Sequence, residues 1–241
     1  MQKLKKIVNL VLAIAILISV FDGVIPRASA KEFTDVSRAA LGEDVFDAIN
    51  YVSDNGWIVG TSTTKFSPNS VVTRAMFATV LYRYSGSSEK VAPSFEDVPS
   101  GTWYYYAVGW AQKHNIVSGT SATKFSPNSA LTREQILSIL YRYATRYEKK
   151  TFSPASFRSI TAHPDYSNIS NYAVEAVRWA KTFHIIPTAT VDSETYIYPK
   201  SALSRAYVSL YLAKYAVNVT GFRPSDRFGF ANTPNNFSNI K

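Results

Sequence analysis

The sequence has no cysteine and only three histidines. The absence of cysteine excludes disulfide scaffolds, thiol nucleophiles, iron–sulfur clusters and cysteine-bearing zinc sites. Three scattered histidines offer little for an all-histidine metal centre, so we expect neither a metal nor another cofactor. Charged residues are scarce at 18%, whereas 46% of residues are hydrophobic and 14% are aromatic. Such a composition is typical of a chain that folds around a hydrophobic core.

Residues 1–30 have the three parts of a secretory signal peptide. A basic stretch from Lys3 to Lys6 precedes an apolar run over residues 7–20, and an Ala-x-Ala cleavage pattern ends at Ala30. The apolar run is shorter than the roughly 20 residues that cross a bilayer, so we predict a cleaved signal rather than a membrane anchor. Cleavage removes four basic residues and one acidic residue, which lowers the formal charge from +9 to +6. A basic exported surface favours an anionic partner outside the cell.

The rest of the chain contains one unit in three copies. The segment Gly60–Ser70 returns almost unchanged as Gly119–Ser129, and both copies carry Leu-Tyr-Arg-Tyr downstream. A more divergent third copy is recognised because Tyr172 and the residues after it align with Trp103 onward. The repeating unit is about 60 residues long. We predict a signal peptide at 1–30, copies at 31–86, 94–146 and 160–218, and a tail or linker stub at 219–241.

Each copy has the pattern of a helix, a loop and a second helix. In the first helix of copy one, Val45, Ile49 and Val52 fall on one face, and the second helix has a comparable apolar stripe. One such hairpin cannot bury its apolar face alone, whereas three can close around a shared axis or stack on each other. We therefore predict a single all-α body. We interpret Trp110 and Trp179 as core residues. Phe66 and Phe125 are interpreted as loop plugs, that is, side chains that pin the loop to the core.

Each second helix begins with a cap residue followed by an arginine. The caps are Thr73, Thr132 and Ser204, whose hydroxyls suit the N-cap position. An arginine at the first helical position is unfavourable because its charge meets the positive end of the helix dipole. Two interpretations remain open: the guanidinium and free helix N-terminal amides form an anion site, or each arginine pairs with an acidic residue of a neighbouring copy. The arginines are Arg74, Arg133 and Arg205.

Other recurring residues are candidates for the same site or for local structure. Gly60 and Gly119 have the position of helix ends that need a positive φ. Trp103, which we place on the first turn of a helix, is an exposed aromatic suited to stacking on a sugar ring. An aspartate lies near the start of each copy, and we favour a turn or cap role for it over ligand contact. These aspartates are Asp35, Asp97 and Asp165.

Three tandem units that open with Phe-x-Asp-Val and continue through Gly-Thr-Ser and Phe-Ser-Pro-Asn into Thr-Arg resemble the S-layer homology (SLH) domain. The resemblance covers Phe33 to about Val217. It implies a pseudo-trimeric helical bundle, a three-pronged spindle, that binds secondary cell-wall polysaccharide in grooves between the prongs. In that family the motif arginine meets a negatively charged pyruvylated sugar, helped by the early aspartate, an aromatic residue and the loop glycine. The matching residues here are Arg74, Arg133, Arg205, Asp35, Asp97, Asp165, Trp103, Gly60 and Gly119.

The sequence departs from the family pattern in two places. No copy has the glutamate that ends the family's Thr-Arg-Ala-Glu motif, although Gln135 is placed to form a capping box with Thr132. The third copy has Thr188–Thr195 in place of the Gly-Thr-Ser loop. We therefore expect the groove of the third copy to be the most degenerate.

The sequence thus predicts a secreted, non-catalytic protein that binds an acidic, pyruvylated and peptidoglycan-linked cell-wall glycan, with no nucleic-acid partner and no membrane span after cleavage. Lattice self-association remains open. The first alternative is a targeting module of a larger surface enzyme, a wall hydrolase or protease, whose catalytic part lies beyond Lys241. The second is a basic helical module for nucleic acid or lipid, which the once-per-copy spacing of the arginines and the signal peptide disfavour.

Overall fold

The computed structural model describes residues 32–187, 189–191 and 194–221. The predicted signal peptide and the part of the predicted tail after residue 221 lie outside the described residues. The α-helices are α1 (Arg38–Leu41), α2 (Glu43–Asp54), α3 (Arg74–Tyr84), α4 (Tyr105–Lys113), α5 (Arg133–Arg142), α6 (Val174–Thr182) and α7 (Arg205–Asn218). A π-helix covers Tyr143–Tyr147, and 3-10 turns cover Pro154–Ser156, Tyr166–Asn168 and Asn171–Ala173. Strands β1 (Ala189–Val191) and β2 (Glu194–Tyr196) form an antiparallel hairpin.

The second helix of each copy packs against the first helix of the next copy. α3 contacts α4, α5 contacts α6, and α7 contacts α2, so the third copy returns to the first and closes a ring. The predicted stripe of α2, formed by Val45, Ile49 and Val52, is at most 3% exposed, and Trp110 and Trp179 are fully buried. Burying one such side chain contributes about 1.5–3 kcal/mol. The three copies share one core, and the predicted all-α architecture is confirmed.

Three tyrosines at equivalent positions, in or just after the last turns of the second helices, meet on the pseudo-threefold axis. Their ring centroids are 5.6 Å apart for Tyr84 and Tyr143, 5.9 Å for Tyr84 and Tyr215, and 6.0 Å for Tyr143 and Tyr215. The tilted, edge-on contacts are those that aromatic rings prefer. The Tyr215 hydroxyl donates to the Glu148 carboxylate at 2.5 Å. Glu148 directly follows the π-helix, which the apolar pattern did not predict, so the linker after copy two supplies a polar partner at this end.

A ring of backbone hydrogen bonds closes the opposite end of the axis. The Val72 N–H donates to the Leu203 carbonyl at 2.9 Å, the Leu203 N–H to the Leu131 carbonyl at 3.3 Å, and the Leu131 N–H to the Val72 carbonyl at 3.0 Å. All three residues are buried, and each directly precedes the cap of a second helix. The ring therefore brings the starts of α3, α5 and α7, with their arginines, to one end of the molecule.

The first helices end two positions before a residue in the left-handed region. These residues are Gly56 at φ 71°, Asn115 at φ 56° and His184 at φ 53°. A left-handed residue just beyond the last turn is a common way to end a helix, and glycine and asparagine are its usual occupants. The stop signals are therefore Gly56, Asn115 and His184, and the prediction that Gly60 and Gly119 end helices with a positive φ is wrong.

Gly60 and Gly119 are required for space instead. A Cβ added to Gly60 would lie 2.6 Å from the carbonyl oxygen of Ser62, and one added to Gly119 would lie 2.7 Å from that of Lys124. Real Cβ atoms do not approach backbone oxygens this closely, so only glycine allows the loop to turn back on itself here.

The loop of the third copy contains the β-hairpin where the other copies have Gly-Thr-Ser. Val191 lies opposite Glu194 at the tip of the hairpin. After the hairpin, Ile197 is fully buried in the place held by Phe66 and Phe125, which are also fully buried. The predicted loop plugs are confirmed, and the third copy keeps a plug of its own despite the inserted strands.

Candidate functional site

The three predicted aspartates each organise the loop of their own copy. The Asp97 carboxylate accepts the N–H of Phe125 at 2.7 Å and that of Ser126 at 2.8 Å. Paired acceptance of adjacent amides holds the second residue in a left-handed turn, with Ser126 at φ 59°. The turn role that the sequence favoured is therefore the one these contacts show. The equivalent bonds join Asp35 to Phe66 and Ser67, and Asp165 to Ile197 and Tyr198.

The loop amides also lower the pKa of Asp35 and of Asp97. Burial alone would raise the pKa of both carboxyls, because it disfavours the charged form. The backbone N–H donors outweigh burial, with a smaller contribution from the nearby lysines, and the pKa of each group falls below its ordinary value. Both carboxylates are therefore ionised at neutral pH, and the loops lose these anchors only in acid.

The arginine of copy one reaches across to the loop of copy two. Arg74 Nε donates to the carbonyl oxygen of Phe125 at 2.7 Å, and its Nη2 donates to that of Ser118 at 2.6 Å. The guanidinium carbon also lies 4.5 Å from the centre of the Phe125 ring, within cation–π distance. Arg74 therefore grips the same loop peptide whose N–H is held by the aspartate of copy two.

The other two motif arginines repeat this contact in cyclic order. Arg205 of copy three donates to the carbonyl oxygens of Phe66 at 2.8 Å and Val59 at 2.6 Å, with its guanidinium carbon 4.6 Å from the Phe66 ring centre. Arg133 of copy two donates to the carbonyl of Ile197 in copy three. The arginine of each copy thus holds the loop of the next, and the last copy holds the first.

The backbone amides at the start of each second helix are occupied as well. The N–H groups of Arg74 and Ala75 donate to the carbonyls of Ser129 and Pro127, both at 3.0 Å. The predicted free amides are therefore not free, and that part of the anion-site hypothesis is wrong. The same bonds run from Arg133 to Ser201, Glu134 to Pro199, Arg205 to Ser70 and Ala206 to Pro68.

The arrangement explains why an arginine follows each cap. The positive end of the helix dipole and the guanidinium both face carbonyl oxygens of the neighbouring loop. These acceptors offset the repulsion between the two positive charges. The alternative hypothesis was right that the arginines bind a neighbouring copy and wrong that an acidic residue is the partner. Arg133 is 2% exposed and Arg205 is 9% exposed, so both guanidinium groups are largely enclosed by these contacts.

Exposed aromatic rings stand near the start of the first helix in copies two and three. Trp103 is 62% exposed and Tyr172 is 54% exposed. The predicted exposed aromatic is confirmed, although Trp103 precedes α4 by two residues and does not lie on its first turn. Copy one has Asp44 at the aligned position and therefore presents no ring there.

The aspartate-anchored loops also line two corresponding surface hollows. The hollow in copy two has an empty volume of about 870 Å³ and is lined by Asp97, Tyr104 and Asn128 among other residues. The hollow in copy three has an empty volume of about 670 Å³ and includes Tyr198 and Lys200. The third loop therefore keeps an open surface even though its sequence departs from the pattern of the other two.

Glu134 fixes the exposed aromatic of copy three. Its buried carboxylate accepts the Ser170 N–H and hydroxyl, both at 2.9 Å, and the Tyr172 hydroxyl at 3.2 Å, and it pairs with the Lys200 ammonium. Burial alone would raise the pKa of Glu134, but these donors outweigh it and lower the pKa. The aligned residue is alanine in both other copies. These hydrogen bonds orient Tyr172. They were not predicted, because the Thr-Arg motif does not indicate which residues Glu134 contacts.

Two further arginines, Arg83 and Arg142, affect the motif arginines electrostatically. Arg142 is half-buried and adds positive charge to the surroundings of Arg74, and Arg83 is exposed and adds positive charge to those of Arg205. Burial first, and then this repulsion, lowers the pKa of Arg74 and Arg205. Among the described residues, neither Arg83 nor Arg142 makes a hydrogen bond or an ion pair. The repeated Leu-Tyr-Arg-Tyr sequence was the signal from which both arginines could have been chosen.

Lys214 takes the corresponding position in the third copy. Its ammonium is buried and lies 3.8 Å from the carboxylate of Asp44. Burial lowers the pKa of Lys214, and the Asp44 charge partly opposes that shift. The cation of copy three is therefore enclosed and accompanied by an internal carboxylate, in contrast to Arg83 and Arg142.

Within the part of the chain that the structure describes, no cluster of three or more histidine, aspartate or glutamate side chains is suited to a metal ion. None of the helices described above is long and apolar enough to cross a membrane.

The fold and the site together define a tandem-repeat helical module, in which each copy pins the loop of the next and exposed aromatic rings flank arginines. Comparison with known families gives this class a name. Residues 32–78 and 94–137 match the family model described as the S-layer homology domain, and the chain belongs to that family. The family model does not cover the third copy, which shares the aspartate, arginine and ring contacts described above.

The chain is also similar to several surface-associated proteins and enzymes. It is 31% identical over 212 residues to an endoglucanase of Bacillus sp. (strain KSM-635), which covers 85% of this chain and 21% of the enzyme. It is 24% identical over 200 residues to the surface-layer 125 kDa protein of Lysinibacillus sphaericus, covering 83% of this chain and 16% of that protein. An S-layer protein of Bacillus thuringiensis subsp. finitimus is 26% identical over 189 residues, 78% of this chain and 21% of its own length.

The chain spans about a fifth of the length of these relatives. Family membership and the surface-layer relatives assign it to the cell wall or S-layer surface. The relatives include both surface-layer proteins and enzymes, so the whole-protein activity is a separate question from the role of the repeats.

Proposed function

We propose that this chain anchors non-covalently to the bacterial cell wall by binding an anionic, pyruvylated and peptidoglycan-linked secondary polysaccharide. The observation that supports it best is an exposed aromatic ring near an arginine that has no carboxylate partner among the described residues. Tyr172 is exposed and precedes α6, the helix that packs against α5, and α5 ends at Arg142. A ring that can stack on a sugar, beside a guanidinium that can receive a carboxylate, suits an acidic glycan.

The nine residues assigned from the resemblance have distinct roles in this proposal. Trp103 is the stacking surface, and the three motif arginines supply positive potential while holding the loops that shape the site. The three aspartates and two glycines fix those loops. The binding surfaces repeat around the axis, so individually weak contacts to one polymer add through a high effective concentration. The residues are Arg74, Arg133, Arg205, Asp35, Asp97, Asp165, Gly60 and Gly119, together with Trp103.

A pull-down with purified wall sacculi tests the proposal. The purified protein is incubated with sacculi before and after chemical removal of the pyruvyl groups, and the bound fraction is measured at fixed ionic strength. We expect binding to the untreated sacculi and a loss of at least about tenfold after removal, because each charge-assisted contact contributes about 1.5–3 kcal/mol. Undiminished binding to the treated sacculi would contradict the role of the pyruvyl carboxylate.

A second candidate is that these repeats serve as the targeting module of a larger surface enzyme. The similarity to an endoglucanase that is matched over only 21% of its length favours this reading. An antibody raised against the repeats, applied to extracted cell walls, distinguishes the two. A band below the 26.8 kDa of the full sequence, as expected after removal of residues 1–30, supports the anchoring protein alone, and a much larger band supports the targeting module. In either case we propose that the repeats themselves are non-catalytic, which an assay of the purified chain on soluble cellulose and xylan checks.

A further inference from the structure

The linker between copies one and two crosses the outer face of α4. A Cβ added to Gly109 of that helix would collide with the carbonyl oxygen of Val91 in the linker. The Ser94 N–H donates to Gln112 Oε1 at 2.9 Å, and Gln112 Nε2 donates to the Ser94 hydroxyl oxygen at 2.5 Å. The segment that leaves α3 is therefore held on α4, the helix against which α3 packs.

The linker between copies two and three crosses α6 in the same way. Arg178 Nη2 donates to the carbonyl oxygen of Phe157 at 2.8 Å, and Lys181 Nζ donates to that of Ser159 at 3.2 Å. The Phe152 ring of this linker packs on a tryptophan of α6, with ring centroids 5.9 Å apart. The two helix positions that donate here align with the two positions of α4 that hold the first linker.

The aligned positions on α2 are Asn50 and Ser53. Both residues are partly buried, and neither side chain makes a hydrogen bond within the part of the chain that the structure describes. Copy one follows the predicted signal peptide, so no linker from a second helix leads into it. The second helix that packs against α2 is α7. By the rule that the other two copies follow, the segment after α7 is the one that should cross α2.

The sequence after α7 resembles that of the first linker. Val91-Ala-Pro-Ser94 begins seven residues after Tyr84 on the pseudo-threefold axis, and Phe222-Arg-Pro-Ser225 begins seven residues after Tyr215. Phe222 also provides an aromatic ring, as Phe152 does in the second linker. An apolar side chain at this position suits packing on a helix face.

The backbone leaves α7 as it leaves the π-helix after α5. The N–H groups of Glu148 and Thr220 each donate to the carbonyl of the axis tyrosine five residues earlier, at 3.1 and 3.4 Å. The next residues, Lys149 and Gly221, both have a left-handed backbone, with φ 57° and 72°. The described chain therefore ends in the conformation from which the second linker starts toward α6.

The charges of the third pair of partners are complementary as well. Lys113 on α4 pairs with Glu89 of the first linker at 2.5 Å. The position of Lys113 is taken by Asp54 on α2, and the segment after α7 contains Arg223 and Arg227. The cation and the anion have thus exchanged sides, and the attraction between helix and segment is kept.

We propose that residues 222–228 form a strap that crosses the outer face of α2 at Asn50 and Ser53. The strap joins copy three to copy one as the two linkers join the other copies, and it completes the ring. The first part of the predicted tail then belongs to the folded body. This proposal concerns the repeat architecture and is independent of glycan binding.

Disulfide trapping in the full chain tests the strap, because the chain has no cysteine of its own. The test pair is Ser53→Cys with Ser225→Cys, which the alignment places as Gln112 and Ser94 are placed. Ser94→Cys with Gln112→Cys is the positive control. The negative control is Ser225→Cys with Ala122→Cys, an exposed position in the loop of copy two. A disulfide needs Cα atoms roughly 4.4–6.8 Å apart, so under mild oxidation we expect the test pair to react at least about tenfold faster than the negative control.

A matched pair of phenylalanine substitutions gives a second measurement. Phe222→Ala should lower the melting temperature by about 3–6 °C, because it removes a ring packed on α2. Phe237→Ala is the same change outside the strap and should leave the melting temperature unaltered.

Either measurement can overturn the proposal. The strap is wrong if the test pair reacts no faster than the negative control, or if Phe222→Ala melts at the temperature of the unaltered protein. A disulfide that links two chains, seen as a doubled mass, would put the segment of a second copy on α2 and would also contradict a strap within one chain. None of these results changes the expectation for wall binding.

Discussion

Replacing Arg205 by alanine should destabilise the protein severely even when no ligand is present. Arg205 donates to the carbonyl oxygens of Phe66 and Val59 and stacks on the Phe66 ring. Each charge-assisted hydrogen bond contributes about 1.5–3 kcal/mol, and the cation–π contact adds about 0.5–1 kcal/mol. Because the contacts share one group and are not fully additive, we expect the free energy of unfolding to fall by about 3–5 kcal/mol.

Urea unfolding followed by circular dichroism measures this loss, and scanning calorimetry should show a melting temperature lower by roughly 10 °C for a domain of this size. Arg83→Ala is the control, because Arg83 is exposed and has no hydrogen bond or ion pair among the described residues. Its effect on unfolding should stay within about 0.5 kcal/mol. A loss below about 1 kcal/mol for Arg205→Ala would refute the view that this arginine closes the ring of copies.

Three other substitutions test separate parts of the account. Gly119→Ala should lower the free energy of unfolding by about 1–3 kcal/mol in urea titration, since the added Cβ would lie 2.7 Å from the carbonyl of Lys124; an effect near zero would contradict the spacing argument. Asp97→Asn should cost stability at neutral pH and progressively less in acid: the folded pKa of Asp97 is lowered, so its contribution is present above the unfolded pKa of about 3.9 and disappears as pH falls through the folded value. A stability difference that grows below pH 4 would be the wrong sign. Trp103→Ala should leave the melting temperature unchanged, because the ring is 62% exposed, and should reduce binding to sacculi; full binding would remove Trp103 from the site.

Periodicity and repetition were enough to predict the body of the fold. The stripe of Val45, Ile49 and Val52 predicted the buried face of α2, because the free energy gained by burying apolar area depends little on which residues cover it. Self-similarity then indicated how many such faces must share one core. The plugs Phe66 and Phe125 were also predictable, since a large aromatic side chain in a loop that recurs in two copies is most simply buried against the core.

The partners of the polar groups were not predictable in the same way. Arg74 pointed to an acceptor, yet its partners are carbonyls 44 and 51 residues away in sequence, and a backbone carbonyl has no sequence signature. The Glu134 network was not predictable for a similar reason, because Ser170 and Lys200 come together only in the folded state. Arg83 was missed because an arginine on a helix is ordinarily a solvated surface residue, and only the structure shows that its charge acts on Arg205.

Gly60 shows how one residue type can mislead. A glycine after a helix is commonly a left-handed stop, but here Gly56 provides the stop and Gly60 makes room for the turn of the loop. The two requirements differ in physical origin, one in φ and one in space, and sequence alone does not separate them.

The central claim is that the repeats bind an anionic, pyruvylated wall glycan through surfaces where an exposed aromatic ring accompanies arginine charge. A crystal structure of the protein with a pyruvylated disaccharide tests it most directly. We predict the carboxylate within about 3 Å of an arginine guanidinium nitrogen, with a sugar ring against Trp103 or Tyr172. A carboxylate with no arginine within that distance, or a sugar bound away from both rings, would contradict the account.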